Sequence, residues 1–256
     1  MKSIEREHSD QKLFDQIAHT YAKKDICPST ALIRKYQIEF ALKNFLPKNH
    51  LIQYFLECAC GIGATAKYLE GRFQNYLGID YSKQMIEAAK HFHGNHPNIQ
   101  FLNRNIKDTG LPPQSQDLIF TFGSMHHMTD LDTVMKELVR IGKPGGHLVI
   151  VEGQSANPLI QMTRYLRGKM DPSYSQDQKF FKKEELIDLF RRHGLKNVQA
   201  TYQGFLSPPF AQVMLPFEKI AYSWCKMVLT LDKFLDLYLP SPFRFLSWNL
   251  IVSGQF

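Results

Sequence analysis

Cysteine is scarce in this chain. The four present, Cys27, Cys58, Cys60 and Cys225, are spread over 256 residues. No Cys/His partner pair has zinc-like spacing, so no metal site is expected. Reduced, buried thiols are the expectation, and they suit a cytoplasmic location. Long apolar runs are missing too. Nothing approaches about 18 uncharged apolar residues in a row, which excludes a membrane span. Met1 to Lys12 is charged throughout and lacks the apolar core of a signal segment, and reads as a frayed lead-in. The basic residues form no stripe. The formal charge is +7, yet lysine and arginine gather only into pairs such as Lys182-Lys183 and Arg191-Arg192. That distribution reads as a solvated surface, with no basic track for nucleic acid. Hydrophobic residues make up 44% of the chain, enough for a full core, and the length suits one α/β domain with additions.

The stretch that is informative runs Phe55-Leu-Glu-Cys-Ala-Cys-Gly-Ile-Gly-Ala-Thr-Ala66. An apolar run from Leu51 reads as a buried strand before it, and Thr65 to Leu69 as a helix start after it. Strand, glycine turn and helix opening make an elbow for a nucleotide-like ligand. Gly61 and Gly63, lacking Cβ, permit a tight turn and close approach of a ligand. Gly61-x-Gly63-x-x-Ala66 satisfies the dinucleotide fingerprint in its Gly/Ala form. A second strand, Gln74 to Asp80, ends in an acid 17 residues beyond Gly63. An acid there can accept both ribose hydroxyls of a nucleoside, which supports a nucleoside without choosing its kind.

The spacing Glu57-x-Ala59-x-Gly61-x-Gly63 resembles the first motif of class I S-adenosylmethionine (SAM)-dependent methyltransferases, Asp/Glu-x-Gly-x-Gly-x-Gly. Ala59 stands where the family has its first glycine, and its methyl fits if its backbone angles are ordinary. Five further segments extend the resemblance. Phe14-Asp-Gln-Ile-Ala18-His-Thr-Tyr21 is similar to a signature preceding the core, in which the tyrosine closes over SAM. Gly78-Ile79-Asp80-Tyr81-Ser82-x-x-Met85 is similar to the second motif, with Tyr81 and Met85 flanking adenine and Ser82 capping the next helix. Asn105 takes the position of the family's adenine-bonding acid, next to Ile106, with Asp108 as its rival. Phe122-Gly123 ends strand four, and Met125-His126-His127-Met128-Thr129-Asp130 resembles the Leu-His-His-x-x-Asp segment of a large small-molecule branch. Lys143-Pro144-Gly145-Gly146 before an apolar run completes the set.

The resemblance, over residues 14 to 152 and more weakly to 202, implies an α/β fold. Its core would be a Rossmann-like seven-stranded mostly parallel sheet with helices on both faces. The implied division is an N-terminal helical cap (1–50), a SAM-binding core (51–202), a helical insertion or lid (203–247) and a final antiparallel strand (248–256). The implied cofactor contacts are Tyr21, Glu57, Ala59, Gly61, Gly63, Asp80, Tyr81, Met85, Asn105, Ile106, Phe122 and Gly123. A second helix is expected from Pro28 to about Leu46, ended by Pro47. Ser155 to Tyr174 reads as an irregular part of the acceptor pocket.

Residues Gly204 to Leu246 replace what is a short loop in the family. Phe217, Ile220, Ala221, Trp224, Val228, Leu231 and Leu235 follow helical spacing there. The stripe admits a lid and acceptor wall, a homodimer face or a peripheral membrane contact. Lys219, Lys226 and Lys233 are few, which does not indicate strong binding to anionic lipid. His126 and His127 follow the strand end facing the cofactor and are the candidate bases, because histidine titrates near neutrality. Tyr165, Tyr174, His193 and Glu152 cannot be ranked. The implied reaction moves a methyl group to an oxygen, nitrogen or carbon of a small apolar or amphipathic acceptor. The alternatives are a SAM-binding protein without methyl transfer, an NAD(P)-dependent oxidoreductase on the same elbow, and a membrane-associated interaction protein built on the insertion.

Overall fold

A computed structural model of the chain describes residues 3–45, 51–170 and 180–256. Seven strands form one sheet: β1 (Ile52–Cys58), β2 (Phe73–Asp80), β3 (Ile99–Asn103), β4 (Gln116–Phe122), β5 (Gly142–Gly153), β6 (Lys196–Gln203) and β7 (Asn249–Gln255). Their order is β3-β2-β1-β4-β5-β7-β6. The first five pair in parallel, and β7 runs antiparallel between β5 and β6. This is the Rossmann-like sheet expected.

Alternation along β1 and β4 builds two cores at once. Phe55 and Phe120 face one side with Tyr76, against α2 (Pro28–Leu42), the short α3 (Ala64–Tyr68) and α4 (Lys83–His93). Leu56 and Ile119 face the other, against α5 (Leu131–Ile141) and α7 (Lys183–Arg192). Strands buried on both faces carry near-continuous apolar runs, as a parallel sheet requires. Cys58 and Cys60, two residues apart, would share a face in a continuous strand; they fall into opposite cores because β1 ends at Cys58 and the backbone turns at Ala59. Two helices start where the sequence provides a side-chain acceptor. Ser82 accepts from Met85 N at the head of α4, and Asp130 from Thr133 N at the head of α5.

Three expectations change. Residues 3–12 are no frayed lead-in: α1 runs unbroken from Ser3 to Ile26. Part of the segment read as irregular, 155 to 174, is a helix, α6 (Pro158–Met170); Pro172 and Tyr174 lie outside the described residues. The second helix ends at Leu42, and Pro47 also lies outside them. Between β6 and β7 stand two 3₁₀ turns (Pro208–Ala211 and Ser241–Leu246) flanking α8 (Glu218–Tyr238). α8 packs on α2, burying Ala221, Cys225, Val228 and Leu229. Of the expected stripe, Ala221 and Val228 are buried, whereas Phe217, Ile220, Trp224 and Leu231 are exposed. Among the described residues no helix is long and apolar enough to cross a membrane.

The elbow turn after β1 is tighter than its sequence suggests. Gly61 and Gly63 have φ of 54° and 69°. A Cβ on Gly63 would lie 2.4 Å from the Phe101 ring, so this position needs glycine on two counts. Ala59 also has a left-handed φ, 53°. Its angles are therefore not ordinary, and the alanine sits in a conformation that costs an L-residue about 1–2 kcal/mol. Ala59→Gly relieves that strain against about 0.5–1 kcal/mol of added chain entropy in the unfolded state. Ala59→Gly is expected to melt about 2–4 °C higher than the natural chain by calorimetry. An unchanged or lower melting temperature would contradict the strain.

Candidate functional site

The sheet order reverses between β1 and β4, and a crevice opens outside the carboxyl ends of the strands there. It is a cavity of about 970 Å³, lined by the turns after β1, β2, β3 and β4 and by the end of β5. A nucleoside with room for a second small molecule fits that volume.

The elbow forms one wall. Gly61 would project a Cβ into open space, so the bare backbone faces the cavity. Asp80 holds the turn from the next strand. Its carboxylate accepts from Gly61 N and Ser82 N, each at 2.9 Å. Burial raises its pKa, and the two N–H groups act against that rise. Glu57 is buried at the end of β1. Thr65 Oγ1 donates to it at 2.6 Å, and the Tyr76 hydroxyl donates to its other oxygen. Burial pushes Glu57 up to about 7 despite those two bonds. Among the described residues no cation pairs with it, so the wall carries a buried acid that a cationic group could relieve.

The turn after β4 carries the histidines. His126 Nδ1 lies 2.7 Å from Glu152 Oε2, and the other oxygen of Glu152 accepts from Ser124 N and Met125 N at 2.8 and 2.6 Å. Glu152 is fully buried and His126 nearly so, with its ring edge-on to Phe180. A proton on Nδ1 bound to Glu152 leaves Nε2 free to accept one. His127 stacks near His126, with ring centroids 4.2 Å apart, and its Nδ1 lies 3.3 Å from Asp10. Burial lowers the pKa of His127 more than Asp10 restores it.

α1 lies across the cavity and is fastened at both sides. Arg6 donates to His126 O at 3.0 Å, Gln11 to Tyr81 O at 3.1 Å, and Asp15 accepts from Ser82 Oγ at 2.6 Å. Glu7 receives Lys107 and Thr129, which holds it ionised against its burial. Phe14 and Tyr21 meet edge-on beneath.

Tyr21, Glu57, Ala59, Gly61, Asp80, Tyr81, Met85, Asn105, Ile106, Phe122, Gly123, His126 and His127 all line this cavity. Gly63 does not: it packs behind the turn against Phe101 and His93, and shapes the wall without forming it. Asp108, the rival to Asn105, is not on the lining. His193 bonds Asp132 on the outer surface, and Tyr165 is exposed beside Lys169.

Several lining groups escape a reading of motifs. Glu7, Asp10 and Gln11 carry the Phe14–Ile17–Tyr21 stripe back by steps of three and four, a signal open only to a search that counts polar residues as face residues. Arg34, whose guanidinium lies 4.5 Å from the Phe122 ring centre, comes from α2, outside every motif, and Lys24 lies on α1 three residues beyond the Phe14–Tyr21 segment.

The methyltransferase domain family matches residues 56–150. The demethylmenaquinone methyltransferase of Bacillus licheniformis is 27% identical over 164 residues, 56% of this chain and 71% of its own. A SAM-dependent methyltransferase of Thermotoga maritima shares the fold with a TM-score of 0.65 at 19% identity, over 95% of this chain and 98% of that one. Phosphoethanolamine N-methyltransferase 2 of Haemonchus contortus, solved with S-adenosylhomocysteine, superposes with a TM-score of 0.59 at 18% identity, over 86% of this chain and 52% of that one.

Glu152 is the polar hub of this region. Glu152→Ala is expected to leave two buried N–H groups and the His126 ring without an acceptor, at a cost of about 3 kcal/mol. Urea unfolding with an unchanged slope and a clearly lower midpoint checks this; a midpoint equal to the natural chain's would refute the hub.

Proposed function

We propose that this chain is a class I SAM-dependent methyltransferase that methylates a small apolar or amphipathic acceptor at the apolar end of the cavity, with His126 as the base. The observation that carries the reading is the Glu152–His126 pair standing on the wall of the cavity that also holds the Asp80–Gly61 elbow.

The residues fit the cofactor. The bare Gly61 backbone and the carboxylates of Glu57 and Asp80 make a concave, acid-lined wall. When bound, SAM supplies a methyl carbon made electrophilic by its sulfonium. Asp80 takes the ribose hydroxyls, Tyr81, Met85 and Ile106 enclose the adenine, and Asn105 bonds its edge. Glu57 accepts the ammonium group, with Ala59, Phe122 and Gly123 beside it, and Arg34 and Lys24 are the cations for the carboxylate. Tyr21 and Phe14 close the cavity from α1 and keep water out.

Phe180, Ile160, Val213, Met214 and Trp248 line the same cavity and make the apolar wall. The quinone-type acceptor named for the B. licheniformis relative supports an acceptor of that character. His126 removes the acceptor's proton through Nε2, and Glu152 steadies the imidazolium that results. Arranging the reacting atoms in line, with water excluded, supplies most of the rate. His127, kept neutral by burial and tied to Asp10, positions α1 over the site. The comparisons give the nicotinamide alternative no support, and the absence of a basic track supports an acceptor other than nucleic acid.

Calorimetry with SAM, S-adenosylhomocysteine and NAD tests the premise and the assignment together. SAM and S-adenosylhomocysteine are expected to bind, NAD not, and Asp80→Ala to weaken SAM by about tenfold or more. Equal SAM binding by Asp80→Ala would remove the ribose assignment. His126→Gln is expected to lower kcat by about 10²–10⁴ with SAM affinity unchanged.

The raised Glu57 pKa gives a pH signature. Below about 7 the free protein holds this proton, whereas the unfolded chain loses it near 4.5. The stability owed to this group is therefore greatest below 4.5 and declines as pH rises through 7. An ammonium beside Glu57 favours the ionised form, so binding releases the proton. SAM affinity is expected to rise with pH and level off above about 7. In Glu57→Gln that rise disappears; a rise of the same size in the variant would sink the ammonium assignment.

A further inference from the structure

α8 carries a second apolar face that none of the described residues covers. Phe217, Ile220, Trp224, Met227, Leu231, Phe234 and Tyr238 recur at steps of three and four along its length. Each is half or more exposed, from 50% at Trp224 to 80% at Phe217. An isolated exposed leucine means little, but an unbroken stripe of seven large side chains marks a contact surface.

The charges on this helix are sorted. Its acids are all spent inward. Glu218 accepts from Ser29 N and Oγ, Asp232 accepts from the N–H groups of Phe205, Leu206 and Ser207, and Asp236 accepts from Gly204 N and the Tyr36 hydroxyl. Lys219, Lys226 and Lys233 are exposed in a row seven residues apart. The outer face of α8 is thus apolar and purely cationic, on a chain of net charge +7. The sparse lysines that did not suggest anionic lipid become decisive once every acid is turned away from them.

The stripe also leads to the cavity. Val213 and Met214, both about half exposed, line the cavity and stand just ahead of Phe217. The exposed apolar surface is therefore continuous along the chain with one edge of the acceptor wall.

We propose that this face of α8 seats on an anionic lipid bilayer, with the Val213–Met214 edge of the cavity turned toward the membrane so that the acceptor enters from the lipid. The inference rests on the apolar acceptor proposed above. The stripe lies in the interface with its rings below the headgroups, and the lysine row meets the lipid phosphates. A second copy of the chain is the weaker occupant. A two-fold contact sets the same face against itself, and here it would bring lysine beside lysine with no outward acid on α8 to pair them.

Flotation of the full chain with vesicles decides the matter. The protein is expected to float with phosphatidylcholine vesicles containing phosphatidylglycerol, to float far less with phosphatidylcholine alone, and to be released by high salt. Trp224→Ser/Phe234→Ser, two exposed positions outside the core, is expected to lose about tenfold or more of the partitioning. Lys219→Glu/Lys226→Glu is expected to lose it on anionic vesicles. Both variants are expected to bind SAM like the natural chain, which shows them folded. No flotation of the natural chain on anionic vesicles, or equal flotation of both variants, overturns the proposal. So does a sedimentation dimer abolished by the serine variant without any flotation. Failure of the natural chain to bind SAM would strike instead at the functional reading, and the vesicle result would stand apart from it.

Discussion

Glu152 closes the carboxyl end of β5 by accepting from two backbone N–H groups of the neighbouring turn and from His126. Parallel strands deliver their loops to one edge of the sheet, and those loops hold polar backbone that has no ladder partner. This chain satisfies much of it with carboxylates placed one strand away. Asp80 serves the turn after β1, and Glu152 the turn after β4. Asp232 and Asp236 do the same for residues 204–207, where β6 gives way to the segment that carries α8. The cavity exists because these acids hold the loops apart and in place.

That arrangement has an electrostatic consequence. Burial raises the pKa of these acids and a neighbouring carboxylate adds to it, Asp80 at Glu57, which is pushed up to about 7, and Asp232 at Asp236, which is pushed up to about 6. Glu57 lines the cavity with no cation partner among the described residues. A cationic cofactor would relieve it, so the tension belongs to the free protein and supports binding. At Asp236 the hydrogen bonds from Gly204 and Tyr36 supply the compensation, and the role is structural.

The elbow, the acid ending β2 and the His-His turn are local in sequence, and their chemistry is carried by residue type and spacing. Phe55, Tyr76 and Phe120 alternate with residues of the opposite core along strands whose period is visible in the chain. The sheet was legible for that reason. Ala59 could be read only conditionally, because a methyl group's fit depends on φ, which spacing does not report. The first half of α1 was missed because its face is polar, and its partners Tyr81, Ser82, Lys107 and His126 are about 70 to 120 residues away.

By itself, the sequence determined the parallel core, the order of its turns and the set of side chains that meet at the strand ends. Short-range pattern suffices there, since each strand and each cap depends on its own neighbours. Only the tertiary structure decided which side of α8 is inside. Its apolar residues occupy more than one face, so periodicity alone leaves the orientation degenerate. The long-range bonds of Glu218, Asp232 and Asp236 break that degeneracy, and they turn the aromatic stripe outward.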